Sequence, residues 1–418
     1  MQIENINDSV VLALETSEKF SVNIIRFTYY LQLSSHNICC MNLLKNIMMY
    51  QCAKYPTKVA FNQQLDELYG ASVHIDVKKN NKQAIMEFTI SALDQSKVSQ
   101  NLLEEQIAFL KDIICYPVSF VGNIFEEAKM MAYASLKNSL DNPSKRAMLE
   151  GVKQYYNDDQ LSINLLGDLD VYQSLTMDSL KQMYEELMNR SYLIISGLGN
   201  MDFTYFKDII NKNFVFSNSY ELNKELSVIN NREVSDKVDY NTLAQSELVM
   251  GFYHPYNVYD QEYEALLIGN MLFGRLPSSL LFTIVREKHS LCYSISSTLL
   301  SLANGLVVSC GIDKTNFELT KKLILECLEK MQKADYDDNL IDSAKNIVIN
   351  ILLTNSDYLS MSLDNLNSVI YYGDYVSVDK RIERIKMVSK DDITKVMNQI
   401  KLQSIYLYAQ GDNNGKDN

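Results

Sequence analysis

The sequence predicts an α+β fold: a tandem of two homologous lobes, each a mainly antiparallel sheet packed with helices. Three observations carry this reading. A segment in the first half of the chain has a counterpart of the same length and layout in the second half. The elements that follow it come in the same order in both halves. Finally, only five prolines and fourteen glycines punctuate the 418 residues, so long regular elements should dominate.

The repeated segment is LLKNIMMYQCAKYPTKVAFNQQLDELYG, Leu43 to Gly70, against LLIGNMLFGRLPSSLLFTIVREKHSLCY, Leu266 to Tyr293. Each has a helix-like stretch, a break containing proline (Pro56, Pro277) and a second amphipathic stretch. Two strand-like runs follow in each half, ASVHIDV and AIMEFTI in the first, YSISSTL and GLVVSCGI in the second. A long amphipathic helix comes next, near Val98–Ile114 and Glu318–Lys333. Late in each half a capped helix leads into a strand, starting at Thr176 and at Ser389, both good N-cap residues followed by Asp in the first turn. A fixed order of elements at a nearly constant offset is the signature of an internal repeat. The polar, weakly periodic stretch from Ser217 to Ala244 reads as a linker. The expected organisation is therefore an N-terminal lobe over 1–216, a linker over 217–244, a C-terminal lobe over 245–412 and a tail over 413–418.

Composition excludes several functions. The net charge is −13, spread over both halves with no basic stripe, so neither nucleic acid nor an anionic membrane surface is an expected partner. No uninterrupted apolar stretch approaches the roughly 18–20 residues of a membrane span. The seven cysteines are odd in number and lack C-x-x-C spacing, which reads as reduced thiols in a cytoplasmic protein. The opening MQIENINDSV lacks the basic and apolar regions of a secretory signal. The four histidines, His36, His74, His254 and His289, are too scattered for any short zinc motif built on paired imidazoles.

Several apparent motifs also fail. SGLGNMD, Ser196–Asp202, imitates a dinucleotide loop but has Asp202 at the third glycine position. GDNNGK, Gly411–Lys416, is one residue short of a phosphate loop. DYDDNLIDSAKN opens like a calcium loop, yet has Leu340 where glycine is required and Asn346 where glutamate would be bidentate. The pairs Glu104–Glu105 and Glu126–Glu127 lie on expected helices, where adjacent residues point about 100° apart and read as solvated faces. Met48–Met49 and Met130–Met131 read as core filler. A thiol enzyme using Cys39 or Cys40 with His36 has no orienting acid or amide to support it.

The segment FGRLPSSLLFTIVREKHSLCYSISSTLLSLANGLVVSCGI, Phe273 to Ile312, is more specific. It resembles the C-terminal half of the pitrilysin/insulinase metallopeptidases, the inverzincins, in which an S-x-L-F run leads into a V-R-E-K-x-S-L-x-Y block and two strands. In that family an Arg and a Tyr separated by six residues reach toward the peptide at the catalytic zinc. Arg286 and Tyr293 match them in identity and spacing. One departure is Gly274–Arg275, where the family usually has paired glycines. The resemblance implies a metallopeptidase-like half-shell made of the two lobes.

It also implies where zinc chemistry should lie. Active members carry H-x-x-E-H on the first helix of the N-terminal lobe: two imidazoles and a distant Glu bind zinc, and the Glu between them activates water. Aligned on LDELYGASVHID, that motif falls on LLKNI. Leu43 and Ile47 stand where the histidines would be, and Asn46 replaces the base. Seven residues beyond Glu126 and Glu127 stand Tyr133 and Ala134, so the distal Glu is missing too. An aliphatic side chain has no lone pair for zinc, and an amide accepts no proton at neutral pH.

A chain that keeps the Arg/Tyr block and loses the zinc site resembles the zinc-free subunit of a two-chain processing peptidase. The resemblance implies a heterodimer in which a homologous partner carries H-x-x-E-H and the zinc. This chain would hold no metal, form chamber wall for the peptide substrate and supply Arg286 and Tyr293. The alternative is a peptide-binding or scaffold protein with no role in hydrolysis.

Overall fold

The computed structural model describes all residues except 99–100, 121–122, 159, 242–244, 301–302, 374–375 and 412–418. The expected tail over 413–418 lies outside the described residues. The chain divides into two compact units, each built from several stretches of sequence. The first comprises residues 1–137, 163–225 and 355–375, and the second residues 138–162, 226–354 and 376–418.

The first unit holds strands β1 (Gln2–Asn7), β2 (Val10–Thr16), β3 (Val22–Gln32), β4 (Ser72–Asn80), β5 (Gln83–Leu93) and β6 (Tyr192–Gly199) in one sheet of order β1-β2-β6-β3-β5-β4. Only β2 and β6 run parallel; every other neighbouring pair is antiparallel. Its helices are α1 (Ser35–Met48), α2 (Lys58–Glu67), α3 (Leu102–Cys115) and most of α4 (Asn123–Leu140), followed later by α6 (Leu169–Ser174), α7 (Met177–Asn189) and α8 (Phe203–Asn213).

The second unit repeats this plan. Strands β7 (Ser235–Asn241), β8 (Ser246–Tyr253), β9 (Cys292–Leu299), β10 (Leu306–Ile312) and β11 (Lys401–Gln410) form a sheet of order β7-β11-β8-β10-β9. Here β7 and β11 are parallel and the other pairs antiparallel. Strand by strand this is the first sheet without β1. Helices α9 (Tyr263–Asn270), α10 (Phe317–Gln332), α11 (Asn339–Ser356), α13 (Val378–Met387) and α14 (Lys390–Met397) follow in the corresponding order, with the last two residues of α11 counted in the first unit. Both expected caps are formed. Thr176 closes a capping box with Ser179 at α7, and Ser389 closes one with Asp392 at α14.

Two features differ from the contiguous ranges read from sequence. Strand β7 lies inside the expected linker 217–244, where its charged, half-polar sequence SDKVDYN pairs with β11. Each sheet also takes one helix from the other half of the chain. Helix α5 (Pro143–Tyr156) packs Ala147 against Val249, Val307, Tyr406 and Tyr408 of the second sheet. Gly151 lets it approach closely, since a Cβ there would meet Val249 Cγ1 at 2.5 Å. The Arg232 guanidinium donates to the carbonyls of Gln154 and Tyr155 at 2.7 and 2.6 Å, caps this helix and complements its dipole. Reciprocally, α12 (Leu359–Tyr372) lays Leu363, Leu366, Ile370 and Tyr371 on the first sheet, against Ile24, Tyr30 and Ile194. Beside this apolar seam, Arg26 is buried and pairs with Asp364 of α12 while donating to Thr89 Oγ1 at 3.0 Å. Among the described residues no helix is long and apolar enough to cross a membrane.

Candidate functional site

Helix α1 carries Leu43, Asn46 and Ile47, the residues that the sequence resemblance aligns with the zinc motif. Ser34 caps it, its hydroxyl accepting from the Asn37 amide at 3.1 Å. Leu43 and Ile47, one turn apart, are 0% and 1% exposed and lie in the core. Asn46, half-buried between them, donates its amide to the Ala128 carbonyl of α4 at 3.3 Å, so it fastens α1 to α4. On the same helix Lys45 pairs with Asp76 of β4 at 3.3 Å. On α4, Glu126 and Glu127 face solvent, Tyr133 is half-buried and Ala134 is exposed. The donor set therefore does not fit zinc, because no imidazole or carboxylate occupies any of the four positions. Among the described residues no group of three or more His, Cys, Asp or Glu could hold a metal.

Two readings of neighbouring residues can be compared with this geometry. Met48 is core filler, fully buried, but Met130 and Met131 are 67% and 59% exposed. Their position on α4 turns them to water, which a pair count along the sequence does not reveal. Cys40 lies 3.6 Å from His36 Nε2, yet burial pushes its thiol up to about 12, so it stays protonated and unreactive.

The second unit builds its counterpart differently. After α9 the backbone unwinds into wider turns over Met271–Arg275 and Leu281–Lys288, whose amides reach back five residues. The Leu276 amide bonds to the Met271 carbonyl at 3.0 Å and that of His289 to Ile284 at 3.2 Å. Gly274 is required where the first run passes β9, since a Cβ would meet Ser297 Oγ at 2.5 Å. Arg275 beside it is exposed. The second run ends on Ser290, held in the left-handed region at φ 51°, a conformation that disfavours a side chain. The chain then turns directly into β9.

This turn brings Arg286 and Tyr293 together. The Arg286 guanidinium lies 5.5 Å from the Tyr293 ring centre and 4.2 Å from that of Phe282, one turn earlier in the same run. Arg286 is half-buried, and among the described residues no carboxylate is within ion-pairing distance of it. Tyr293 is 85% exposed, and among the described residues its hydroxyl has no hydrogen-bond partner. A cation and a phenol thus stand at the surface with their polar groups uncommitted. Sequence reasoning missed Phe282, although its place four residues before Arg286 on a helical stretch was a signal.

Strand β9 is anchored at its far end by a buried polar cluster. His254, 2% exposed, accepts from the Gly305 amide through Nε2 at 3.0 Å, which requires a neutral ring. Asn304 donates to the carbonyls of His254 and Ile229 at 2.6 and 2.9 Å. Burial pushes the imidazole down to about 4.

Comparison with known proteins agrees with this architecture. Residues 174–348 match the family described as Peptidase M16 inactive domain. A Bacillus subtilis protein named Probable inactive metalloprotease YmfF is 25% identical over 406 residues, spanning 93% of each chain. Among solved structures, a conserved protein from Enterococcus faecalis V583 superposes with a TM-score of 0.93 at 23% identity, over 99% of both chains. A peptidase M16 inactive domain from Pseudomonas fluorescens superposes with a TM-score of 0.79 at 15% identity, over 98% of both.

Proposed function

We propose that this chain, a homologue of the M16 (pitrilysin/insulinase) peptidases, is the zinc-free subunit of a heterodimeric zinc endopeptidase that processes peptides. The observation that carries the reading is an asymmetry. Leu43 and Ile47, aligned with the zinc-binding histidines, are buried aliphatic core, while Arg286 and Tyr293 reach the surface and, among the described residues, have no ion-pair or hydrogen-bond partner for their polar groups. A surface arginine and tyrosine kept only for stability would be expected to spend their N–H and O–H groups on neighbours; among the described residues these two touch only aromatic rings and each other.

In this role the homologous partner carries H-x-x-E-H and the metal, and this chain forms chamber wall. The Arg286 guanidinium orients the peptide through its N–H donors, and the Tyr293 hydroxyl donates to the scissile carbonyl as negative charge develops there. Removing one donor of that kind typically raises a barrier by roughly 2.7–4 kcal/mol.

The test is reconstitution with a zinc-bearing homologue from the same organism, followed by peptide cleavage. The mixed pair should cleave and each chain alone should not. Arg286→Ala should lower kcat by about a hundredfold or more with the pair still assembled. Stoichiometric zinc in the single chain, or unchanged turnover in the variant, would sink the proposal. A pair that binds peptide but never cleaves would favour the scaffold reading.

A further inference from the structure

We propose that Phe282 is a positioning residue that holds Arg286 for work on the peptide, an inference that rests on the role given to Arg286 above. The guanidinium plane needs support, because an arginine side chain has many rotatable bonds and loses orientation freely. A carboxylate would provide that support, but it would occupy two of the five N–H donors and offset the charge. The structure uses a ring instead. The Arg286 guanidinium sits 4.2 Å from the Phe282 ring centre, with the exposed Tyr293 ring 5.5 Å away.

Stacking on an aromatic face fixes the plane of the cation and leaves its in-plane donors pointing outward. The local backbone assists. Phe282 and Arg286 are four residues apart within the wide-turn run Leu281–Lys288, and the left-handed Ser290 then reverses the chain so that Tyr293 faces the same cation. Phe282 is half-buried, with one side of its ring against the protein. Phe282 has no polar side-chain atom, so any effect it has on the scissile carbonyl passes through Arg286.

The experiment compares wild type with Phe282→Leu, Phe282→Met and Phe282→Tyr, with thermal midpoints measured to confirm folding. In the reconstituted pair, the Leu and Met variants should lower kcat about threefold to tenfold with KM nearly unchanged, and Tyr should restore it. In the single chain, the rate at which phenylglyoxal modifies Arg286, read by peptide mass spectrometry, should rise at least about threefold in the Leu and Met variants and not in Tyr. An unchanged kcat in folded Leu and Met variants overturns the positioning role, even if modification accelerates. An unchanged modification rate overturns the stack itself. If the wild-type pair does not cleave at all, the heterodimer reading fails, and the modification rates still decide whether Phe282 orients Arg286.

Discussion

Helix α1 and the run from Tyr263 to Lys288 hold equivalent places in their units, each between the third strand of the repeat plan and its β-hairpin. They have been treated in opposite ways. In the first unit the helix is regular, and Leu43 and Ile47 are buried in the core. In the second unit the backbone has wide turns, a left-handed serine and an exposed tyrosine. In one unit this helix face is given over to packing. In the other, irregular backbone stands beside donors that, among the described residues, have no hydrogen-bond or ion-pair partner.

The largest expected effect comes from trying to reverse the first half of that comparison. Leu43→His with Ile47→His puts two imidazoles where side chains are 0% and 1% exposed. The loss of packing and the burial of ring nitrogens without partners should lower stability by about 4 kcal/mol or more, read by denaturant unfolding. Metal analysis should find no stoichiometric zinc, because the third ligand is absent at Tyr133 and Ala134. Retained stability with one zinc per chain would mean the site is dormant, and the contrast between the units would collapse.

A smaller effect should appear on acidification, at the cluster that anchors β9. His254 is neutral in the fold, with its pKa near 4 against an ordinary value of 6.5, because burial disfavours the charged ring. Between those values the unfolded chain binds a proton that the folded chain does not. The contribution is therefore fully present above about pH 6.5 and is lost as the pH falls toward 4, amounting to about 3 kcal/mol. His254→Gln, whose amide oxygen can still accept from Gly305, should lack this acid-sensitive component. Parallel pH profiles for the two proteins would show that folding does not lower the pKa of His254.

Much of this was legible in the sequence, for identifiable reasons. The hairpins β4–β5 and β9–β10, and the caps at Thr176 and Ser389, depend on neighbours a few residues away, so local pattern found them. That Leu43, Asn46 and Ile47 cannot act as zinc ligands or base needs no tertiary structure, because the chemistry of these side chains is the same wherever they lie. The exchange of α5 and α12 was not readable. An apolar stripe such as Leu363, Leu366 and Ile370 announces a buried face without naming the sheet that receives it. Strand β7 was hidden for a related reason: its partner β11 lies more than 160 residues later, and its exposed charges made it look like a linker. The stack on Phe282 arises from a turn geometry that sequence spacing alone does not specify.

The smallest expected change is the sharpest probe of the second half of the comparison. Tyr293→Phe removes a hydroxyl that, among the described residues, has no partner, from a side chain 85% exposed. Its ring remains to flank Arg286. Stability should therefore shift by no more than about 0.5 kcal/mol, as for other surface changes that touch no network. The same edit should slow cleavage by the reconstituted pair if, as proposed, the lost hydroxyl donates to the peptide. A stability loss above about 1 kcal/mol would mean that the hydroxyl has a structural partner in solution. Tyr293 would then belong with Leu43 and Ile47, as a former site residue taken over by the fold.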